Sequence, residues 1–157
     1  MKSLGSMDIR RYRDSDEASV VRLWTECGLV RSWNDPHKDI QRKLSIQPEL
    51  FLVGVLDGSI VATVMAGFDG HRGWVNYLAI AEKCRRRGLG RMLMQRVEDQ
   101  LREMGCPKLN MQVRSSNDTV LAFYERLGYT QDQTVSLGKR LIPDEHAATY
   151  ASRRSDA

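Results

Sequence analysis

The run FLVGVLDGSIVATVMAGF, Phe51 to Phe68, constrains the fold more than any other stretch of the chain. Two apolar, β-rich runs flank Asp57-Gly58. That dipeptide tolerates positive φ at both central positions, as the tightest hairpin turns require. A second turn, DGHRG (Asp69 to Gly73), leads into WVNYLAI (Trp74 to Ile80). Three antiparallel strands in a meander follow from this pattern.

Helical periodicity surrounds the meander. Met7 to Tyr12 reads as a short strand, and Asp14 with Glu17 as a D-x-x-E helix start. Val20, Leu23, Trp24 and Cys27 then share one helical face, which Gly28 ends. Asp35-Pro36 is a cap and first-turn pair and predicts a second helix from Pro36 to Gln47. Leu89, Met92, Leu93, Val97, Leu101 and Met104 mark a long amphipathic helix, stopped by Gly105 and Pro107. KLNMQV (Lys108 to Val113) is a strand. Asn117 can cap a helix whose apolar face is Val120, Phe123, Tyr124 and Leu127. YTQDQTVSLGKRL, Tyr129 to Leu141, predicts one or two further strands. The order is β-α-α-β-β-β-α-β-α-β, a single α/β (α+β) domain over residues 7–142 with a mixed sheet. Residues 1–6 read as an expression scar or disordered start, and 143–157 as a polar, frayed tail.

Composition narrows the function classes. Of 157 residues, 41% are hydrophobic, enough for a packed core. No window approaches the ~18 consecutive apolar residues of a membrane helix. The start has no apolar signal region, so a cytoplasmic location is expected, with no membrane partner. Three cysteines and three scattered histidines show no ligand spacing, so no metal is expected. The net charge of +4 suits an anionic ligand without demanding nucleic acid.

The segment KCRRRGLGR, Lys83 to Arg91, lies between an apolar strand and an amphipathic helix. A helix start offers unpaired N–H groups and partial positive charge. Glycines let a phosphate approach those groups, because a Cβ would stand in the anion's place. A pyrophosphate cradle therefore fits; a tight helix start with solvated arginines fits as well. No Walker P-loop occurs, and the Rossmann pattern needs three glycines after the first strand. No aromatic platform accompanies the arginines, which argues against nucleic acid as a partner.

Arg85, Gly88 and Gly90 spell R-x-x-G-x-G, and VRSSNDTVLAFYERLGY (Val113 to Tyr129) holds an Asn, a Tyr seven residues on and a Leu-Gly-aromatic ending. Together, in this order and spacing, they resemble the two signatures of the GNAT family of N-acetyltransferases. RSWNDP with GFDGHRG is similar to a subgroup of small bacterial members without an assigned substrate. The resemblance implies the GNAT fold: a mixed, mostly antiparallel sheet of six or seven strands, about four helices, and fourth and fifth strands that splay into a slot. It implies acetyl-CoA as co-substrate. Backbone groups of Leu78, Ala79 and Ile80 would face its pantetheine arm, and Arg85, Arg86, Arg87, Gly88, Leu89, Gly90 and Arg91 its pyrophosphate. Asn117 would contact the cofactor. Tyr124, on spacing alone also a core aromatic, would be the general acid for the departing thiolate. Where the family often has proline after the fourth strand, this chain has Glu82.

Acetyl transfer also needs a neutral amine and a polarised carbonyl. LNMQVRSSN resembles the segment of the ribosomal-protein alanine N-acetyltransferases in which a Glu is the base; here that position is Gln112, which cannot accept a proton. Glu82, acting through water, and His71 are the remaining candidate bases. The acceptor side would comprise Trp33, Asn34 and Asp35 with Asp69 to Arg72. A small-molecule or peptide amine is the expected partner, a homodimer is left open, and a non-catalytic acyl-CoA sensor is the alternative class.

Overall fold

The computed structural model describes residues 5–144; the leading residues 1–4 of the expected scar and residues 145–157 of the tail lie outside that range. The hairpin forms where the sequence places it. Asp57 and Gly58 take φ of 51° and 77°, joining β2 (Phe51–Leu56) to β3 (Ser59–Phe68). β4 (Gly73–Ile80) continues the meander, and β1 (Asp8–Arg11) pairs antiparallel on the far side of β2. β5 (Leu109–Met111) adds to β4 in parallel, giving the order β1-β2-β3-β4-β5.

Among the described residues the sheet thus has five strands, not six or seven. The predicted strands of Tyr129 to Leu141 are absent: that stretch forms no ladder, and Val135, Leu137 and Leu141 are exposed. Among the described residues it meets the edge of β5 through side chains alone, Lys108 to Asp132 and Gln112 to Ser136, without a backbone ladder.

Period-two alternation explains why the hairpin is apolar on both faces. Leu52, Ala62, Val64 and Ala66 pack on one side, against α3 (Leu89–Glu103) and α4 (Asp118–Arg126). Phe51, Val53 and Met65 pack on the other, against α1 (Glu17–Glu26) and α2 (Pro36–Leu44). In α3 the buried stripe is Leu89, Leu93, Met94, Val97 and Leu101, while Met92 and Met104, expected on that face, are exposed. The α1 start also differs from the D-x-x-E reading. Asp16, not Asp14 or Glu17, takes the Arg13 N–H at 2.9 Å and a two-pronged pair from Arg10 at 2.7 and 3.0 Å. The Arg10 hydrogen bonds hold the Asp16 carboxyl below its usual range. α2 stops at Leu44 rather than Gln47, because Gln47 turns to φ 51° ahead of Pro48.

One irregularity in the sheet governs the rest. Thr63 pairs with Ala79 and Met65 with Asn76, so Val64 faces both Tyr77 and Leu78. This is a β-bulge, and Tyr77 sits in it at φ 51°. A left-handed tyrosine costs ~1–2 kcal/mol, so its surroundings must hold it. The Thr63 hydroxyl donates to the Tyr77 carbonyl at 2.9 Å and accepts from Trp24 Nε1 at 2.8 Å. The Trp24 ring stacks on Tyr77 at 3.9 Å, and the Tyr77 hydroxyl donates to Asp39 Oδ2 at 2.6 Å.

Thr63 is fully buried. Thr63→Val should therefore leave the Trp24 N–H and the Tyr77 carbonyl unpaired and lower stability by roughly 1–3 kcal/mol for each. Thr63→Ser should retain most of it. Urea unfolding of the two variants checks this; equal losses would remove the hydroxyl from the account.

Candidate active site

The chain enters α3 through a left-handed pair of residues, Arg86 at φ 63° and Gly88 at φ 76°. Among the described residues nothing accepts a hydrogen bond from the successive N–H groups of Arg86 to Arg91; the first helical bond runs from Met92 N to the Gly88 carbonyl. Space in front of Gly88 is open, with no atom within 4 Å of where a Cβ would stand. Free donors, an open approach and a helix N-terminus are what an anionic diphosphate needs.

The two glycines have different reasons to be there. A Cβ on Gly90 would meet Cζ of Phe123 at 2.9 Å, so Gly90 is small to let α4 pack on α3, not to clear the anion's place. The arginines also divide. Arg85 turns inward, its Nε donating to the Ile80 carbonyl at 3.1 Å and one terminal nitrogen to Cys27 Sγ at 3.7 Å. It pins the loop to the end of β4. Arg91 leans to the Arg126 carbonyl at 3.4 Å. Arg86 and Arg87 are exposed and make no such bond.

β4 and β5 share three register pairs, ending at Val75 with Met111. Beyond that point β4 runs on to Ile80 while β5 stops, so the two strands share no further pairs. The bulge falls just past the last shared pair. Tyr77 and Leu78 have no register partner on β3 and β5 does not reach them. Leu78 and Ile80 are half-buried; Ala79 is buried and pairs with Thr63.

Tyr124 comes from α4, whose start is capped by Asn117 Oδ1 accepting from Val120 N at 3.2 Å. Only 7% of Tyr124 is exposed, edge-on to Phe123 and Tyr129. Its hydroxyl makes no hydrogen bond to the described residues, unlike Tyr129, which donates to Glu98 at 2.9 Å. Burial pushes the Tyr124 phenol up to about 12. It stays protonated at neutral pH, and its one polar atom is free.

The remaining candidates lie around this centre with structural ties of their own. Glu82 is exposed in the short 3₁₀ turn after β4 and has no partner among the described residues. Gln112 Nε2 donates to Ser136 Oγ. Trp33 is 46% exposed, with the Arg114 guanidinium 5.8 Å above its ring. Asn34 accepts from Arg140 at 3.0 Å. Asp35 caps α2, accepting from His37 N at 2.9 Å and Lys38 N at 3.3 Å. Its own N–H is held by Asp144 at 2.8 Å, and Asp144 also pairs with Arg42 at 2.6 Å, so the supposed tail is anchored at its first residues. His71 is exposed in the turn that Asp69 organises by accepting from the N–H groups of His71 and Arg72.

Sequence reasoning missed Thr63, Trp24 and Asp39, which fix the bulge, and Phe123, which dictates Gly90. One signal for Thr63 was present: it is the lone polar side chain between Ile60 and Phe68. Among the described residues no group of three or more His, Cys, Asp or Glu is placed to hold a metal, and no helix is long and apolar enough to cross a membrane.

The profile of the acetyltransferase (GNAT) family matches residues 17–129, and the chain belongs to that family. It is an N-acetyltransferase. An acetyltransferase of Yersinia enterocolitica is 50% identical over 139 residues, 88% of this chain and 99% of that protein. In fold, the chain is similar to AAC(6')-Iy, solved with a bisubstrate analogue of CoA (TM-score 0.72, 16% identity, 87% of this chain and 99% of that one). It is also similar to the ribosomal-protein-S18-alanine N-acetyltransferase of Escherichia coli (TM-score 0.67, 21% identity, 82% and 80%).

The different roles of the glycines can be separated. Gly90→Ala should cost about 1–3 kcal/mol through the clash with Phe123, and a second change, Phe123→Leu, should return part of it. Gly88→Ala meets no atom and should lose only the ~1–2 kcal/mol of left-handed strain, which Phe123→Leu does not relieve. Urea midpoints of the single and double variants check the pattern; equal rescue of both glycine changes would contradict it.

Proposed function

We propose that the protein transfers the acetyl group of acetyl-CoA directly to a primary amine in a ternary complex, and that the acceptor is a small amine. The observation that carries this reading is the row of unpaired N–H groups from Arg86 to Arg91 at the head of α3, next to the β4 bulge. The row fits a pyrophosphate, and the slot between β4 and β5 fits the extended arm that follows it. Acetyl-CoA would supply an activated thioester at the end of that arm.

The residues then divide the labour. Backbone groups at Leu78 and Ala79 polarise the thioester carbonyl, with the bulge aiming them. The slot holds the two reactants together, which supplies a large share of the rate. The amine nitrogen forms its bond to the carbonyl carbon, the C–S bond breaks, and Tyr124 gives its proton to the leaving sulfur. A phenol near 12 is a weak acid, but it is fully protonated at neutral pH and so holds the proton that the leaving sulfur needs. The proton lost by the amine passes to solvent, through Glu82 and water. Asn117 contributes by holding the start of α4 and hence Tyr124.

Gln112 favours a small amine over a ribosomal-protein N-terminus. Its amide has no proton-accepting role, and it is tied to Ser136. The similarity in fold to the ribosomal-protein-S18-alanine enzyme leaves protein N-termini as the comparison class.

Thiol release from acetyl-CoA against a panel of small amines and Ala- or Ser-starting peptides tests the reading. On the best acceptor, Tyr124→Phe should lower kcat by ~10²-fold or more, the range of general acid catalysis, with acetyl-CoA affinity unchanged. Because burial raises the phenol to about 12, the acid form persists and the wild-type rate should not fall from its ionisation between pH 7 and 10. A variant with wild-type kcat in single-turnover experiments would reduce Tyr124 to a core aromatic. Faster turnover on the peptides than on any small amine would overturn the acceptor class.

A further inference from the structure

Two arginines from distant parts of the chain land on adjacent residues of the loop between α1 and α2. The Arg114 guanidinium lies 5.8 Å from the centroid of the Trp33 ring, and Arg140 donates to Asn34 Oδ1 at 3.0 Å. Among the described residues neither arginine has a carboxylate partner, and the Arg114 side chain makes no hydrogen bond, so all the N–H donors of its fork are free. The carboxylates nearest in the chain are already engaged. Asp35 accepts from His37 N and Lys38 N, and Asp144 from Arg42 and from the N–H of Asp35. Two guanidiniums brought to neighbouring residues repel one another, and an anion placed between them relieves that repulsion.

The pair stands beside the chemistry. Trp33 and Asn34 come just before α2, whose Asp39 accepts from the Tyr77 hydroxyl in the β4 bulge at 2.6 Å. Arg114 follows the end of β5, in the turn that leads to the Asn117 cap of α4 and so to Tyr124. The contact of Arg114 with Trp33 therefore joins the loop that serves the bulge to the loop that serves Tyr124. The anionic end of acetyl-CoA is assigned to the head of α3, which leaves this guanidinium unclaimed by the cofactor.

We propose that Arg114, seated on Trp33, receives a carboxylate of the acceptor, with Arg140 as the second cation, so that the acceptor is an amino acid or a close analogue. This rests on the small-amine reading and narrows it. A planar guanidinium meets a carboxylate through two parallel N–H···O bonds, which fixes the acceptor's direction as well as its place. The Trp33 face steadies the guanidinium and leaves its N–H edge open. An acceptor with a second cationic group would be repelled by the two arginines, and an uncharged one would leave their donors to water. The amino nitrogen takes the acetyl group and gives up a proton to solvent, and CoA leaves as the thiol with the proton from Tyr124.

Thiol release from acetyl-CoA tests this with the common amino acids, β-alanine and γ-aminobutyrate, each beside its carboxyl amide. The best acid should exceed its amide by about 10- to 100-fold in kcat/KM, the range of a hydrogen-bonded charged group, with the difference in KM. Arg114→Gln should abolish that preference. Arg114→Lys, which keeps the charge without the fork, should restore part of it. Arg114 is exposed, so both variants should keep the wild-type melting curve and acetyl-CoA affinity. An amide turned over as well as its acid overturns the proposal. So does an acid preference that survives Arg114→Gln, or an acetyl-CoA affinity that falls with it. Turnover of amines without a carboxyl group in place of the acids overturns it and leaves the small-amine reading standing. Turnover of Ala- or Ser-starting peptides alone overturns both.

Discussion

The buried hydroxyl of Thr63 is the interaction on which the site depends. It joins α1 to the middle of the sheet by accepting from Trp24 and donating to the Tyr77 carbonyl. Without it, two β4 residues opposite one β3 residue would be a strained irregularity. With it, and with the Trp24 ring against Tyr77 and Asp39 on its hydroxyl, the bulge is over-determined from three sides. The consequence is positional. The bulge begins just past the last shared pair of β4 and β5, so peptide groups leave one ladder where no second ladder has taken them up.

The loop after β4 applies the same logic to an anion. Arg85 is spent on fixing the loop to the Ile80 carbonyl, and Gly90 on admitting Phe123. What remains for a ligand is Gly88, the exposed Arg86 and Arg87, and the backbone donors themselves. The motif R-x-x-G-x-G thus mixes residues that build the loop with residues it leaves open to solvent. Phe123, which dictates Gly90, is the neighbour of Tyr124 on α4, so the cradle and the proposed acid are set by one helix–helix contact.

How much of this was legible in the sequence follows from how local each cause is. The hairpin turn, the α2 cap at Asp35 and the α4 cap at Asn117 rest on a few adjacent residues, and all formed as read. The strand, tight turn and helix start around Gly88 were legible because they follow one another in the chain. The bulge was not, since Trp24 and Thr63 lie 39 residues apart and only the folded sheet brings them to Tyr77. Met92 failed for a smaller reason: helical periodicity places it near the edge of the apolar stripe, where Met94 takes the buried position instead. The strands expected from Tyr129 to Leu141 failed because alternation does not by itself make a ladder: the stretch meets the edge of β5 through the side chains of Asp132 and Ser136. The anchoring of Asp144 was invisible because its partners, Asp35 and Arg42, stand a hundred residues earlier.

The central claim is that acetyl-CoA is held by main-chain donors at the head of α3 and at the β4 bulge. Backbone amide NMR spectra recorded during an acetyl-CoA titration test it most directly. The account predicts the largest shifts at the amides of Arg86 to Arg91, with a second group at Leu78 and Ala79, and small changes in β1 and α2. Saturable binding that leaves the Arg86 to Arg91 amides unmoved while shifting residues elsewhere would contradict it.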